Sequence, residues 1–478
     1  MEKKNFVEQI ADINKDLPQW YTDVILKADL CDYGPVKGTM VIKPYGYAIW
    51  ENIQDYLNKE FKKVGVKNAY FPMLIPESYL KKEAKHVEGF APEVAVVTYA
   101  GGQDLAEKLV VRPTSETIIC EMYSKWIKSY RDLPMVMNQW CNVVRWEKTT
   151  RPFLRTSEFL WQEGHTVQAN KEDAKLDALK MLKIYEDMAK NLLAIPVLCG
   201  RKSDREKFAG ANDTYSIEAV MRDGKCLQSG TTHDLGQNFA KSANIKFLNK
   251  NGEWEYGYST SWGVSTRLIG GLIMVHGDER GIKLPPRVAP IQAVIIPIAQ
   301  HKDGVLDNVY NIKKLLEEQN VRVEVDATDN SPGWKFNEYE MKGVPLRIEI
   351  GPRDIENKVV TLVRRDTHEK LTVNMNELTT TILALLDDIQ QNMYNQAKQF
   401  VDHCTKEVTS MDEMVKYVDE GKVAVGYHCA DEECEKQIKE ETGIQTRVII
   451  DYCDEQDSYT CVHCGKKAKY KIYFAKQY

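Results

Sequence analysis

The 478-residue sequence predicts an α+β domain over residues 1–285, an α/β domain over 286–385 and a small α+β region with a helical lead-in over 386–478. Three observations predict this. Up to the stretch "KLPPRVAP", helix-period segments flank Gly- and Thr-rich strand segments without βαβ alternation. From about Ala289 onward, strand-like and helical runs alternate as βαβ units do. The tail carries two cysteine pairs, a feature of small domains that need a cross-link.

In chain order, Ile49, Ile53, Leu57, Phe61 and Val64 recur at helical spacing from Tyr45 to Val64, and Gly65 stops that helix before the strand-like run "AYFPMLIP". The strand-like "LVVRP" leads through "TSE" into a helix that places Ile118, Met122, Trp126 and Tyr130 on one face. A hairpin from Val143 to His165 follows, then a charged helix from Ala174 to Leu193 and short strands from Thr214 to Trp262. "STRLIGGLIMVHGDERG" closes this part as a helix capped by Ser265 or Thr266. Beyond it, "QAVIIPIA", "VRVEVDA" and "PLRIEIG" read as strands, "VLDNVYNIKKLLEEQN" as a helix, and the stretch before "PLRIEIG" as a loop. A long helix from Asn376 to Cys404 then reaches a capping pair, Ser410 with Glu413.

Composition narrows the function. A net charge of −6 argues against a broad basic face that grips nucleic acid indiscriminately, so any such contact is local. No apolar run approaches the roughly 20 residues that cross a bilayer. The start "MEKKNFVEQI" has the character of neither a secretory signal nor a transit peptide, so a cytoplasmic protein is expected. Most of the eleven cysteines are isolated and read as reduced thiols.

The chemistry concentrates in the hairpin. On a strand, Phe159, Trp161, Glu163 and His165 project from one face, and Arg145 and Glu147 share a face on the strand before it. The loop between adds Lys148, Arg151 and Arg155. Such a face either forms a surface ion-pair ladder or lines a pocket in which a ligand supplies the partners. Arg267 falls in the first turn of a helix, where the macrodipole disfavours a cation, so an anionic or aromatic ligand is a reason for its place. Thr114, Ser115 and Glu116 sit where a cap is expected.

These residues carry a resemblance. The chain is similar to class II aminoacyl-tRNA synthetases, specifically prolyl-tRNA synthetases of the archaeal and eukaryotic type, over nearly its whole length. A first motif ends a strand in Pro72; a second reads Arg145-x-Glu147, loop, Arg155-x-x-x-Phe159; a third opens a helix with Arg267. "RPTSE", "FLWQEGH", "GTTHDLGQNF" and "PGWKFNEYEMKGVPLRIEIG" sharpen the resemblance to the prolyl type. It implies a class II catalytic domain built on an antiparallel sheet flanked by helices, an anticodon-binding α/β domain and a small α+β zinc-binding domain.

By the same resemblance, ATP and proline lie side by side. Arg145 contacts the α-phosphate and the proline carboxylate, Arg155 reaches the γ-phosphate, and adenine lies between Phe159 and Arg267 with Glu147 reading its amino group. Gln228 and Thr231 face the ribose and phosphates. Arg145 and Arg267 are the catalytic candidates. Thr114, Glu116 and Arg145 hold the two ends of proline, Trp161 and His165 bound its ring, and Glu163, His233 and Ser265 lie close by. Guanidinium groups suit the task because they bind phosphate bidentately and also stack on a purine. Mg²⁺ accompanies ATP. Both histidines are read as binding groups, because neither must exchange a proton. The interval from His165 to Ser259 leaves little more than the ordinary scaffold, so no editing is expected in this chain, and trans-editing factors are candidate partners for mischarged tRNA.

The second domain resembles an anticodon reader, with Lys335, Glu340 and Arg347 as contacts to tRNA(Pro). In the tail, Cys429, Cys434, Cys461 and Cys464 are spaced to give four thiolates to a tetrahedral Zn²⁺, with Cys453, His428 and His463 as rivals. Tyr478 is a candidate contact to the catalytic domain, and a homodimer is the usual consequence of the first motif. The rival reading is a non-catalytic synthetase paralogue that binds tRNA or ATP as a regulator. The arginines and Phe159 speak against it. The phosphate loop GxxxxGK[ST] of other ATP-binding folds is missing from the sequence.

Overall fold

The computed structural model describes residues 10–84 and 93–478, so the amino-terminal stretch read for targeting signals lies outside it. The first part is organised by a seven-stranded sheet. Its order is Lys67–Asn68, Met135–Val144, Glu158–Gln168, Tyr258–Ser265, Cys226–Gly236, Asp213–Val220 and Val197–Arg201. Only the short first strand runs parallel to its neighbour; the other pairings are antiparallel.

Side-chain alternation decides what each face does. On the back, helix Lys171–Asn191 presents Tyr185, whose hydroxyl donates to Gln162 Oε1 at 2.7 Å. Helix Pro44–Lys63 buries Ile49, Trp50, Ile53, Leu57 and Phe61, and the Phe61 ring meets Trp262 at 5.0 Å. Gly164 is directly paired with Trp262, and a Cβ there would stand 2.2 Å from the indole, so only glycine lets the ring lie across the strand. The front face of the same strands carries ionisable side chains together with aromatic rings.

Helices Pro44–Lys63, Lys171–Asn191, Arg267–His276 and Leu378–Cys404 lie within a few residues of their predicted positions. "AYFPMLIP" does not form one strand. Pro72 has no N–H for a ladder, and regular pairing resumes only at Leu74–Pro76, in a separate three-stranded sheet.

The second sheet runs Val323–Val325, Ala293–Pro297, Leu346–Ile350, Val359–Arg364 and Lys370–Asn374, parallel across its first three strands and antiparallel beyond. The stretch read as a loop before "PLRIEIG" contains a helix, Pro332–Met341. Ser331 caps it by accepting from the Trp334 N–H, and Pro332 occupies the first turn. A third sheet orders Thr405–Glu407, Val423–His428, Tyr470–Ala475 and Gln445–Tyr452. At its lead-in Ser410 accepts from the Glu413 N–H, and Glu413 accepts from the Thr409 N–H.

Asp278 and Arg365 tie the first two parts together through two bonds of 2.7 and 2.8 Å. Burial pushes the Asp278 carboxyl up, but the Arg365 bonds and charge outweigh it and hold the pKa at about 2. A depressed carboxyl contributes stability above its ordinary value, near 3.8, and loses it as pH falls toward 2. Asp278→Asn should therefore destabilise the protein by roughly 2 kcal/mol at neutral pH, at about 1.4 kcal/mol per pKa unit. In melting curves, the gap between variant and parent should close between about pH 4 and 2.

Candidate active site

Phe159, Trp161, Glu163 and His165 alternate along one strand and face the front of the sheet. The neighbouring strand puts Ser261, Gly263 and Ser265 opposite His165, Glu163 and Trp161, and the next brings Thr231 and His233 into the same row. Thr114 and Glu116, at the start of helix Glu116–Trp126, close one end, and Arg145 and Arg267 close the other walls. Together they line a cavity of about 350 Å³.

The guanidinium groups are held by main chain and rings rather than by close carboxylates. Arg145 Nε donates to Pro113 O at 3.0 Å, and its guanidinium lies 5.5 Å from the Phe159 centroid and 5.4 Å from that of Trp161. Arg267 donates to Leu154 O at 3.0 Å and Gln228 O at 3.3 Å. Burial, followed by the charges of Arg145 and Arg155, lowers the Arg267 pKa to about 10. A buried cation repelled by two others is one that a polyanion would relieve.

The opposite end is carboxylate-rich. Thr114 Oγ1 donates to Glu116 Oε2, and Glu163 accepts from the Ser115 N–H, Gln139 Nε2 and the His165 ring. Burial pushes the Glu163 carboxyl up, but the His165 bond and charge, with Ser115 and Gln139, bring it below its ordinary value. Glu116, Glu163 and His165 hold ligand atoms within 4.8 Å of one another, an arrangement suited to an ammonium group. His233 is bonded to Thr214 Oγ1 at 3.0 Å; burial, then the Lys202 and His165 charges, lower its pKa to about 3, so its ring stays neutral. Ser115 does not cap its helix by side chain. Its hydroxyl accepts from Gln139 instead, and Gln139 also donates to Glu163 of the cavity lining.

Of the predicted proline and ATP residues, Glu147 and Arg155 alone do not line the cavity. They lie beyond the strand's end at Val144 and pair with each other at 2.7 and 2.8 Å. Sequence reasoning missed Lys202, Glu206, Phe208 and Thr214, which also line it. The charged run "KSDREKF" has no periodicity that marks a wall. Tyr478 accepts from Arg151 Nη1 at 2.8 Å, reaching the hairpin loop rather than the cavity.

The anticodon candidates have inward-facing roles. Lys335 is 2 % exposed, and its ammonium donates to Asp326 O and Thr328 O. Arg347 lies 4.1 Å from the Phe336 centroid and pairs with Glu340 and Glu349; Glu340 also meets Arg280. Expected as contacts to tRNA, each is satisfied by protein partners.

In the tail, Cys434 and Cys461 sulfurs lie 3.8 Å apart and those of Cys429 and Cys464 3.5 Å. Four thiolates about 2.3 Å from a zinc ion stand about 3.8 Å from one another, so the spacing fits. His428 is a rival, grouped with Cys429, Cys434 and Cys461. His463 Nδ1 lies 3.2 Å from Cys434 Sγ, and Cys453 sits among Asp451, Asp454 and Asp457 instead.

Comparison with known proteins agrees with this geometry. Residues 97–276 match the tRNA synthetase class II core domain (G, H, P, S and T), 292–385 the anticodon binding domain, and 411–478 the prolyl-tRNA synthetase C-terminal family. The chain is 59% identical to a Proline--tRNA ligase of Acetoanaerobium sticklandii and 54% identical to one of Clostridium novyi, in both cases over 100% of each protein. The crystal structure of prolyl-tRNA synthetase from Cryptosporidium parvum complexed with halofuginone and AMPPNP matches with a TM-score of 0.95 at 39% identity, covering 99% of this chain and 98% of that one. On full-length identity, on all three family matches and on this fold, the chain belongs to the prolyl-tRNA synthetase family of class II aminoacyl-tRNA synthetases.

Proposed function

We propose that the chain is a proline--tRNA ligase that joins L-proline to tRNA(Pro) in two steps at this one cavity. A proline carboxylate oxygen attacks the α-phosphorus of ATP, an O–P bond forms, and the bond to pyrophosphate breaks. A terminal ribose hydroxyl of tRNA then attacks the prolyl carbonyl and expels AMP. The observation that carries this reading is the convergence of Arg145 and Arg267 on a cavity whose other end holds Thr114, Glu116, Glu163 and His165. One end suits phosphates, the other a secondary ammonium.

The residues act by position and charge. Arg145 bridges the α-phosphate and the carboxylate, Arg267 and Phe159 take the adenine between them, and Arg155 and Glu147 separate to meet the γ-phosphate and the adenine amino group. Mg²⁺ arrives with ATP as part of the substrate and neutralises phosphate charge. Gln228, Thr231 and Ser265 supply polar contacts, Trp161 and His165 flank the prolyl ring, and the neutral His233 serves as a hydrogen-bonding wall.

The interval between strands Glu158–Gln168 and Tyr258–Ser265 is spent on the sheet and its helices, which supports an enzyme without editing in this chain and a need for trans-editing factors. Exposed Tyr70, Met73 and Leu74 beside Pro72 support a homodimer. The second domain takes the anticodon; there Glu340 and Arg347 engage RNA by exchanging partners, and Lys335 braces the adjoining loop. No described helix is long and apolar enough to cross a membrane, and tRNA as substrate favours the cytoplasm.

Cys429, Cys434, Cys461 and Cys464 hold a structural Zn²⁺, which would cross-link the third sheet to its helix. Cys461→Ser should lower the zinc content and the melting temperature of the purified protein; unchanged zinc excludes that ligand. The function itself is tested by proline-dependent exchange of labelled pyrophosphate into ATP. Alanine, cysteine and threonine serve as controls, and strong exchange with threonine alone refutes the prolyl reading.

A further inference from the structure

One cation of the cavity has surroundings that extend outside the catalytic part. Lys202 lines the cavity yet is 3 % exposed. Its ammonium lies 3.2 Å from Glu218 Oε1 and donates to Gln228 Oε1, also at 3.2 Å. Glu218 is wholly buried and accepts from Arg447 Nε at 2.5 Å. Arg447, also wholly buried, belongs to strand Gln445–Tyr452 of the third sheet. The four side chains form a continuous row from the third domain to the cavity wall.

Each link has a chemical consequence. Lysine offers donors and no acceptor, so the Gln228 carboxamide must turn its oxygen toward Lys202. Its two N–H donors are then left for the cavity that Gln228 lines. An amide alone could turn either way; beside an ammonium it cannot. Burial pushes the Glu218 carboxyl up, but the Lys202 and Arg447 charges more than offset this, so it stays ionised and anchors Lys202. The segment bearing Lys202 is held from the same side. Ser203 Oγ donates to Glu435 Oε1 at 2.7 Å, Lys439 stands 3.8 Å from Glu206, and a Cβ on Gly200 would come within 2.6 Å of Ile449 O.

We infer that Lys202 is a positioning residue for the nucleotide, fixing the Gln228 amide as a donor to an anionic substrate oxygen, and that Arg447 of the third domain holds it in place through Glu218. The inference rests on the ligase reading above. It makes the third domain a working part of the activation step, in addition to whatever its cysteines bind.

The test is steady-state pyrophosphate exchange by the full-length protein, with ATP and proline varied separately and melting temperature measured for each variant. Lys202→Met leaves Glu218 paired with Arg447, and Gln228→Glu keeps a partner for Lys202 while removing the donor; both preserve the buried charges' pairing. Each should raise KM for ATP about 10- to 100-fold, the range for a hydrogen bond to a charged group. KM for proline should move no more than about threefold. Lys202→Met made on top of Gln228→Ala should cost no more than about a further twofold, because the lysine acts through that amide. Arg447→Met should show the same ATP-selective defect, and Arg447→Lys should recover most of it. An inactive parent protein would sink the ligase reading itself. An active parent with unchanged Gln228→Glu, equal rises in both KM values, or additive losses in the double variant would overturn this inference alone.

Discussion

Replacing Arg145 with alanine should abolish proline-dependent exchange, a loss on the order of 10³-fold, while the melting temperature should stay within a few degrees of the parent. The size follows from its place. Its guanidinium lines the cavity against the Phe159 and Trp161 rings, where on the proposed reading charge would develop as the carboxylate attacks phosphorus. Preorganised charges in a site shielded from water are worth several kcal/mol in the transition state. The small stability effect follows from burial, which lowers the Arg145 pKa despite nearby Glu116, Glu163 and Glu147. The folded protein bears the cost of this charge, so its removal is tolerated. Exchange kinetics and a melting curve on the same preparation check both halves; retained exchange refutes the role.

The largest stability effect is expected at Glu218. Glu218→Ala leaves Lys202 and Arg447 buried without their shared anion, and among the described residues Arg447 Nη1 and Nη2 already lack hydrogen-bond partners. Breaking a buried ion pair from one side costs about 3–5 kcal/mol, because the orphaned charges stay desolvated. Denaturant titration should show that drop in unfolding free energy; an unchanged midpoint would mean that water reaches the pair.

Much of the fold was legible because its elements carry local signals. Helix Pro44–Lys63 follows from a repeat of apolar residues, and the face of Phe159, Trp161, Glu163 and His165 from strand alternation alone. The walls assembled from afar were not legible. Lys202, Phe208 and Thr214 reach the cavity only because strand Asp213–Val220 sits beside Cys226–Gly236, a neighbourhood no local window contains. Helix Pro332–Met341 was missed although Ser331 and Pro332 are a start signal, since its charges suggested a solvated loop. Lys335 and Arg347 make the same point about charge. A cation's type favours solvent, but carbonyls and carboxylates arranged by the fold can hold it inside.

The strands that pair Gly164 with Trp262 are also joined by a bond from Gln162 Nε2 to Trp262 O, 100 positions apart in the chain, and this separation should set the order of events when the protein folds. Closing so long a loop costs entropy before any contact repays it, so the two strands join slowly relative to local helices. On dilution from denaturant, far-ultraviolet dichroism should recover before exchange activity does. The interval between the two is the lifetime of a species with its helices wound and its catalytic floor still in two pieces.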